Sequence, residues 1–164
     1  MKRYLPFALV LILTATPISA SAWNLIPQPK DKQFIAETFS NLKGATSDKR
    51  PTGSHYQMSM VCTNGFFEID FFKLTTSGEL AILGNITSIL IRTQNKGRQN
   101  FKTVDLDRDA LRVTDSKKLY KWILDQKRIG VFFTMENREE YKAYFDVTGA
   151  TGLAKKFAGA GCKV

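Results

Sequence analysis

The sequence predicts an α+β domain, with an antiparallel β-sheet or partly closed barrel of about six strands, two to three short helices and one long-range disulfide. Three observations favour this class. Segments in which apolar and polar residues alternate recur along most of the chain, as is typical of half-buried antiparallel strands. Helical spacing is confined to short segments between and after them. The chain also has only two cysteines, Cys62 and Cys162.

The strongest local pattern is a hairpin within residues 56–74, YQMSMVCTNGFFEIDFFKL. Asn64-Gly65 readily adopts the positive φ values of a type I′ turn, and alternating apolar residues flank it. After the turn, Phe67, Ile69 and Phe71 fall on one face, which we predict to be core. The opposite face, which we expect to be thinly covered and able to bind a partner, carries Phe66, Glu68, Asp70 and Phe72.

The first 22 residues have the organisation of a secretory signal peptide. Lys2 and Arg3 precede the apolar run 5–13, and Ala20-Ser21-Ala22 offers the small residues that signal peptidase requires. Because the run is shorter than the roughly 20 residues of a membrane-spanning helix, no transmembrane anchor is predicted. Cleavage after Ala22 would leave a 142-residue chain, periplasmic or secreted, with a lead-in at 23–30 and a single domain at 31–164.

In an oxidising compartment two cysteines tend to pair, so a Cys62–Cys162 disulfide is predicted. It would close a loop of 100 residues. Free thiols or an intermolecular bridge are the alternatives. Two distant cysteines and one histidine do not make a structural zinc site, and neither a metal nor a cofactor is predicted.

The mature chain is basic. The sequence has 24 Lys and Arg against 15 Asp and Glu, and loss of Lys2 and Arg3 leaves a net charge of +7. This charge favours encounters with anionic surfaces, although dispersed basic residues also serve solubility.

The elements before the central hairpin are predicted as follows. Residues 23–30 contain two prolines and form an extended lead-in without regular structure. A short helix then runs from a cap at Asp31 to Gly44, and residues 45–55 form a surface loop. The residues at helical spacing that define this helix are Phe34, Ile35, Phe39 and Leu42.

After the central hairpin we expect a turn at 75–78, strand-like residues 79–93 broken near Gly84-Asn85, a basic turn at 94–98 and a return strand at 101–106. A helix capped near Asp115 or Ser116 follows. Its apolar face carries Leu119, Trp122 and Ile123.

Two alternating strands are predicted at 129–135 and 141–147, and their rings Phe133, Tyr141 and Phe145 are assigned to the core. The last element is a short helix that returns Cys162 to the first strand of the hairpin. Its apolar residues are Leu153, Ala154, Phe157 and Ala158.

Catalytic patterns are sparse. Histidine-dependent hydrolases need a base beside a nucleophile, and the single histidine, His55, lies in a Gly-Ser-rich segment. Glu68 and Asp70 alternate on one strand face about 7 Å apart, a separation that suits a glycosidase. Pairing with a cross-strand Lys or Arg is the competing and favoured interpretation, so no enzyme is predicted.

A second candidate surface is the basic hairpin around Phe101. Basic and aromatic residues on adjacent strands can hold single-stranded nucleic acid, whereas charge on an edge hairpin also prevents aggregation. Secretion separates the chain from most nucleic acid, so nucleic acid is disfavoured as a partner. The basic residues are Arg92, Lys96, Arg98 and Lys102.

The closing third, RIGVFFTMENREEYKAYFDVTGATGLAKKFAGAGC, resembles small periplasmic bacterial proteins of the type VI secretion-associated accessory and invasion-associated locus B type. The resemblance implies a non-enzymatic accessory role with protein partners, and it transfers no functional residue. The matching residues are Phe145, Asp146, Gly149, Ala154 and Cys162, with Cys62 earlier in the chain.

Three functions therefore stand as hypotheses. The first is an exported envelope module, non-enzymatic and acting by protein–protein contact. The second is a secreted inhibitor or immunity-type protein that blocks an enzyme with the loop 45–55. The third is a small hydrolase that uses Glu68 and Asp70.

Overall fold

The computed structural model describes residues 23–28, 33–40, 55–75, 77–81, 83, 86–106, 110–135 and 140–164. They form ten strands and two helices. In chain order these are β1 (Asn24–Gln28), β2 (Gln33–Phe39), β3 (His55–Thr63), β4 (Phe66–Leu74), β5 (Leu80–Ala81), β6 (Ile86–Thr93), β7 (Gly97–Leu106), β8 (Ala110–Val113), α1 (Ser116–Ile123), β9 (Arg128–Met135), β10 (Glu140–Asp146) and α2 (Ala150–Gly159).

All strand pairs are antiparallel, in the order β1-β2-β3-β4-β8-β7-β6-β9-β10, with β5 paired to β4 off this path. The sheet curls but does not close. β10 reaches the other end of the order through a bridge between Ser40 and Phe145 and a 3.0 Å hydrogen bond from Thr38 Oγ1 to the Asp146 carbonyl. The predicted α+β antiparallel class is confirmed, but about six strands was too few and the barrel is left open.

The core lies between the two halves of this curled sheet. The Tyr56 ring on β3 stacks on Phe133 of β9 with centroids 4.8 Å apart. Phe71 of β4 meets Phe133 and Phe145 edge-on or tilted, at 5.7 and 5.8 Å. The assignment of Phe133, Tyr141 and Phe145 to the core is confirmed by their burial.

The central hairpin forms as predicted. Asn64 and Gly65 have φ of 50° and 84°, so both central residues take the left-handed conformation that a type I′ turn requires. Thr63 pairs with Phe66 across the turn. Phe67, Ile69 and Phe71 point into the core and are buried.

The predicted first helix is wrong, because Gln33–Phe39 form strand β2 between β1 and β3. Phe34 is buried, whereas Ile35 on the next position is only half-buried and Phe39 is 44% exposed. Burial alternates along the segment, which is the period of a strand. Outside the described residues lie Asp31, Leu42, Gly44 and residues 45–54 of the predicted loop 45–55. His55, the last residue of that predicted loop, is the first residue of β3.

Two further strands were not expected. Asn24–Gln28, predicted as a lead-in without regular structure, is the edge strand β1, where Pro27 is tolerated because one side of the strand needs no donor. Ala110–Val113 form β8 immediately before α1. The predicted signal peptide, residues 1–22, lies outside the described part of the chain.

The later helices agree with the prediction. Asp115 caps α1 by accepting a 3.0 Å hydrogen bond from the Lys118 amide, and Leu119 and Ile123 are buried. α2 buries Leu153 and Phe157. Neither helix of the described chain has the length and apolar character needed to cross a membrane.

The predicted Cys62–Cys162 disulfide is present, joining β3 to the segment after α2. Beside it, the Phe157 ring contacts Phe34, Phe67 and Tyr120 at centroid distances of 5.3, 5.0 and 6.1 Å. These four rings hold α2 against one end of the sheet, where aromatic pairs add directional contacts to simple burial.

The burial of Tyr120 is expected to lower the free energy of unfolding at alkaline pH. Its hydroxyl donates a 2.7 Å hydrogen bond to the Ala150 carbonyl, and the residue is 1% exposed. Burial raises its pKa to about 12, partly offset by the backbone of Ala154. Because an unfolded tyrosine ionises near pH 10, the contribution is complete below that pH and we expect about 2–3 kcal/mol to be lost as pH rises to about 12.

Urea unfolding of the wild type and of Tyr120→Phe at increasing pH checks this expectation. The variant keeps the ring and loses the hydrogen bond, so it should be about 1 kcal/mol less stable at neutral pH. Its stability should then fall less steeply between about pH 10 and 12. Parallel pH profiles for the two proteins would contradict the assignment to Tyr120.

Candidate binding surfaces

The first predicted surface is the outward face of the central hairpin, and its two carboxylates are joined by Arg112 of β8. Asp70 lies directly opposite Arg112 in the β4–β8 register. Arg112 Nε and Nη2 donate to Asp70 Oδ1 and Oδ2 at 2.8 and 2.9 Å, and Nη1 donates to Glu68 Oε1. The hydrogen bond to Asp70 is the main cause that raises the pKa of Arg112.

This ion-pair cluster bears on the glycosidase hypothesis. One guanidinium contacts both Glu68 and Asp70, and the Asp70 side chain is only 6% exposed. A glycosidase needs its two carboxylates to flank a substrate oxygen and, in one class, a water. Arg112 lies in that space, so the arrangement favours the structural interpretation of the acidic pair.

The polar contacts continue from Arg112 across the outward face of the neighbouring strands. Gln57 Nε2 on β3 donates to Glu37 Oε1 of β2 at 2.7 Å and to Ser59 Oγ at 2.9 Å. Ser59 pairs with Asp70 in the β3–β4 register and is itself 2% exposed. Two hydrogen-bonded groups, one centred on Arg112 and one on Gln57, therefore lie side by side across this face and form a polar row.

Apolar residues flank the polar row on both sides. Ile26, Ile35 and Val61 are register partners on β1, β2 and β3, and all three are half-buried. Phe66 lies at the same end of the sheet and is 72% exposed. At the other end, Phe39 and Phe72 flank Gln57. We call the outward side of β1–β4 the hairpin face.

Comparison with known proteins finds no matching family model, curated protein or solved structure. The resemblance of the closing third to periplasmic accessory proteins thus stays a prediction from sequence. Site assignment rests on geometry alone.

The predicted basic hairpin is β6 and β7, and the structure adds two more strands to it. On the outward side, Arg98 pairs with Arg92, Arg92 with Gly130 of β9, and Gly130 with Tyr144 of β10. The adjacent row on the same outward side, two residues further along each strand, consists of Asn100, Leu90, Phe132 and Lys142. We call the outward side of β7-β6-β9-β10 the basic aromatic face.

Sequence reasoning missed half of this face. Three of its residues, Phe132, Lys142 and Tyr144, come from the predicted strands 129–135 and 141–147, which are distant in sequence from Arg92 and Arg98. Arg128 immediately precedes the first of these predicted strands and is the first residue of β9. The alternation of those strands already placed Phe132 and Tyr144 on the side opposite the core residues Phe133 and Phe145. What the sequence did not supply was the pairing of β9 with β6.

The rings and cations of the basic aromatic face contact each other. The Arg128 guanidinium lies 4.7 Å from the centroid of Tyr144, and Lys142 Nζ lies 5.6 Å from that of Phe132. Among the described residues no ion pair involves Arg92, Arg98 or Lys102, and all three are exposed. Cation–π contacts order two cations while the other three face solvent.

Lys96 has a structural role instead. Its ammonium donates to the carbonyls of Lys121 and Leu124 at 2.9 and 3.4 Å, at the C-terminal end of α1. Cations stabilise helix C-termini in this way, where carbonyls lack partners. Lys96 therefore fastens the β6–β7 turn to α1.

The two predicted surfaces remain separate. β8 lies between β4 and β7, and Arg98 and Lys102 lie in the part of β7 that pairs with β6, not in the part, Thr103–Leu106, that pairs with β8. The hairpin residues and the basic residues therefore do not form one site. The His55 ring packs against Phe39 with centroids 5.9 Å apart. Within the described ranges no cluster of His, Cys, Asp or Glu could hold a metal ion.

Proposed function

We propose that this chain is an exported, non-enzymatic bacterial envelope protein that acts by contact with another protein through its hairpin face. The observation that carries the proposal is Phe66, which is 72% exposed although the backbone on both sides of it is fixed. Large aromatic side chains dominate the binding energy of protein interfaces.

The backbone at Phe66 is held by two independent constraints. The Asn64-Gly65 turn fixes it from one side. On the other side, Cys162 Sγ lies 3.2 Å from the Phe66 carbonyl oxygen. The turn itself is also close to the C-terminal segment, because Gly65 lies near the Gly161 carbonyl oxygen. A contact residue whose backbone is ordered before binding loses less conformational entropy on association.

The surroundings of Phe66 suit a protein partner. The half-buried strip of Ile26, Ile35 and Val61 supplies further apolar area on the same side of the sheet. The adjoining polar row is hydrogen-bonded within the chain. A partner can therefore cover it without leaving new unpaired groups, which limits the desolvation penalty.

Export is supported by the disulfide together with the signal-peptide pattern. A bond between Cys62 and Cys162 persists in oxidising compartments and is rare in the cytosol. Periplasmic or secreted localisation follows from this reasoning, and protein accessory roles are what the sequence resemblance implies.

Phe66→Ser is the variant that tests the contact. We expect its free energy of unfolding to change by less than about 0.5 kcal/mol, because the ring is exposed. Retention of the partner in a pull-down from envelope extract should fall about 30-fold, as for a central interface aromatic worth about 2 kcal/mol. The extract is probed with residues 23–164 in the oxidised form and at high salt.

Leu80→Ser is the matched control, since Leu80 on β5 is another large apolar residue, 56% exposed, paired with Leu74 at the end of β4 opposite to Phe66. It should leave retention unchanged. Equal retention by the Phe66→Ser protein, or equal loss in both variants, would exclude a contact centred on Phe66.

A further inference from the structure

The basic aromatic face concentrates positive charge on one side of four strands. Its cations come from two hairpins, β6–β7 and β9–β10, which are brought together by the β6–β9 pairing. Among the described residues two carboxylates lie on the same side: one pairs with a cation of the face itself, and the other accepts a backbone amide. Glu140 pairs with Lys142 at 3.6 Å, and Asp146 Oδ1 accepts the Thr148 amide at 2.9 Å. The cations are Arg92, Arg98, Lys102, Arg128 and Lys142.

Arg92 and Arg98 oppose each other directly on adjacent strands. Like charges in this position destabilise a sheet. The other register neighbour of Arg92 on the face is Gly130, which offers no counter-charge. Natural sequences break such local rules mainly where function requires it.

The centre of the face is apolar. Leu90, Phe132 and Tyr144 are half-buried there. Gly130 lies between the two rings, and a Cβ at this position would meet Phe132 Cε2 and Tyr144 Cε1 at 3.2 Å. The two rings therefore lie close to the Gly130 backbone. Arg128 lies over the Tyr144 ring and Lys142 over the Phe132 ring.

From this arrangement we infer that the basic aromatic face docks on the surface of an anionic lipid bilayer. Each Lys or Arg near such a surface gains favourable electrostatic energy from acidic headgroups. Tyr144, which has an apolar ring and a polar hydroxyl, and Phe132, whose ring lies close to the sheet backbone, suit the boundary between headgroups and acyl chains.

A single-stranded nucleic acid fits less well. Such ligands need aromatic faces free for base stacking. Here Arg128 lies over Tyr144 and Lys142 over Phe132, so the rings are already covered by cations. The inference does not rest on the proposed protein contact, which uses the hairpin face.

The test is co-sedimentation of the oxidised protein with vesicles of phosphatidylcholine, alone or mixed with phosphatidylglycerol, at low and high salt. We expect binding only to the mixed vesicles and release at high salt. Arg92→Gln/Arg98→Gln should lower the partition coefficient about 25-fold, from about fivefold for each cation. Its thermal midpoint should equal or exceed that of the wild type, because a repulsive pair is removed.

Lys155→Gln/Lys156→Gln is the control with the same net charge, since both lysines are exposed on α2. Its vesicle binding should stay close to that of the wild type. Equal loss in both double variants would overturn the inference in favour of net charge alone. Absence of vesicle binding would also overturn it, and binding of a single-stranded oligonucleotide instead, lost in Arg92→Gln/Arg98→Gln, would assign the face to nucleic acid.

Discussion

Removal of the Cys62–Cys162 disulfide is expected to lower the free energy of unfolding by about 4–5 kcal/mol. The bond closes a loop of 100 residues, which includes every strand from β4 to β10. Without it the unfolded chain regains the conformational freedom of that loop. Because domains of this size have total stabilities of about 5–15 kcal/mol, the loss is a large fraction of the whole.

The second consequence of removing the bond concerns α2. The helix contacts the sheet through Phe157, whose ring meets Phe34 and Phe67 close to the disulfide. With the covalent link gone, α2 is held by non-covalent contacts alone, among them these ring contacts and the hydrogen bond from Tyr120 to the Ala150 carbonyl. We therefore expect α2 to open locally at a lower free energy than the sheet.

Urea unfolding of Cys62→Ala/Cys162→Ala, compared with the oxidised wild type, measures the effect. Wild type reduced and alkylated in urea serves as a second, chemically different removal of the same bond. Hydrogen exchange of the α2 amides reports the local opening. A double variant within about 1 kcal/mol of the wild type would mean that the loop-closure entropy is offset by denatured-state structure.

Local chemistry explains which parts of the fold the sequence predicted well. The Asn64-Gly65 turn and the Asp115 cap depend on residues within four positions of each other, so no tertiary information was needed. The disulfide followed because the chain offers one intramolecular pairing. These features were correct in position and in type.

Tertiary pairing explains what was missed. In the segment 33–39, Phe34, Ile35 and Phe39 match a helical spacing, yet the segment also alternates as a strand. Short apolar runs are ambiguous in this way. Hydrogen bonding to β1 and β3 decided the outcome, and neither partner strand can be read from the segment itself.

The same limit applies to the candidate surfaces. The β6–β7 hairpin is a local unit, so its exposed cations Arg92, Arg98 and Lys102 could be grouped from sequence. Phe132 and Tyr144 join them only through the β6–β9 register. Likewise, the sequence suggested a cationic partner for Glu68 and Asp70, but only the β4–β8 register identified it as Arg112.

Replacement of Arg112 by Met should be the most destabilising single change on the hairpin face. It would leave the Asp70 carboxylate, 6% exposed, without the two hydrogen bonds it now accepts from the guanidinium. Breaking a buried pair from one side typically costs about 3–5 kcal/mol. Since the Arg112 side chain is 30% exposed, we expect about 3 kcal/mol, the lower end of that range.

A double-mutant cycle separates the pair from simple packing. Asp70→Asn/Arg112→Met should recover most of the lost stability, because no unpaired charge remains, and the coupling energy should exceed about 1 kcal/mol. Glu68→Gln, at a side chain 32% exposed, should cost less than about 1 kcal/mol. Urea unfolding at neutral pH measures five proteins: the wild type, Asp70→Asn, Arg112→Met, their double variant and Glu68→Gln. Additive effects would mean that Asp70 is stable without Arg112, and the catalytic interpretation of Glu68 and Asp70 would then regain support over the structural one.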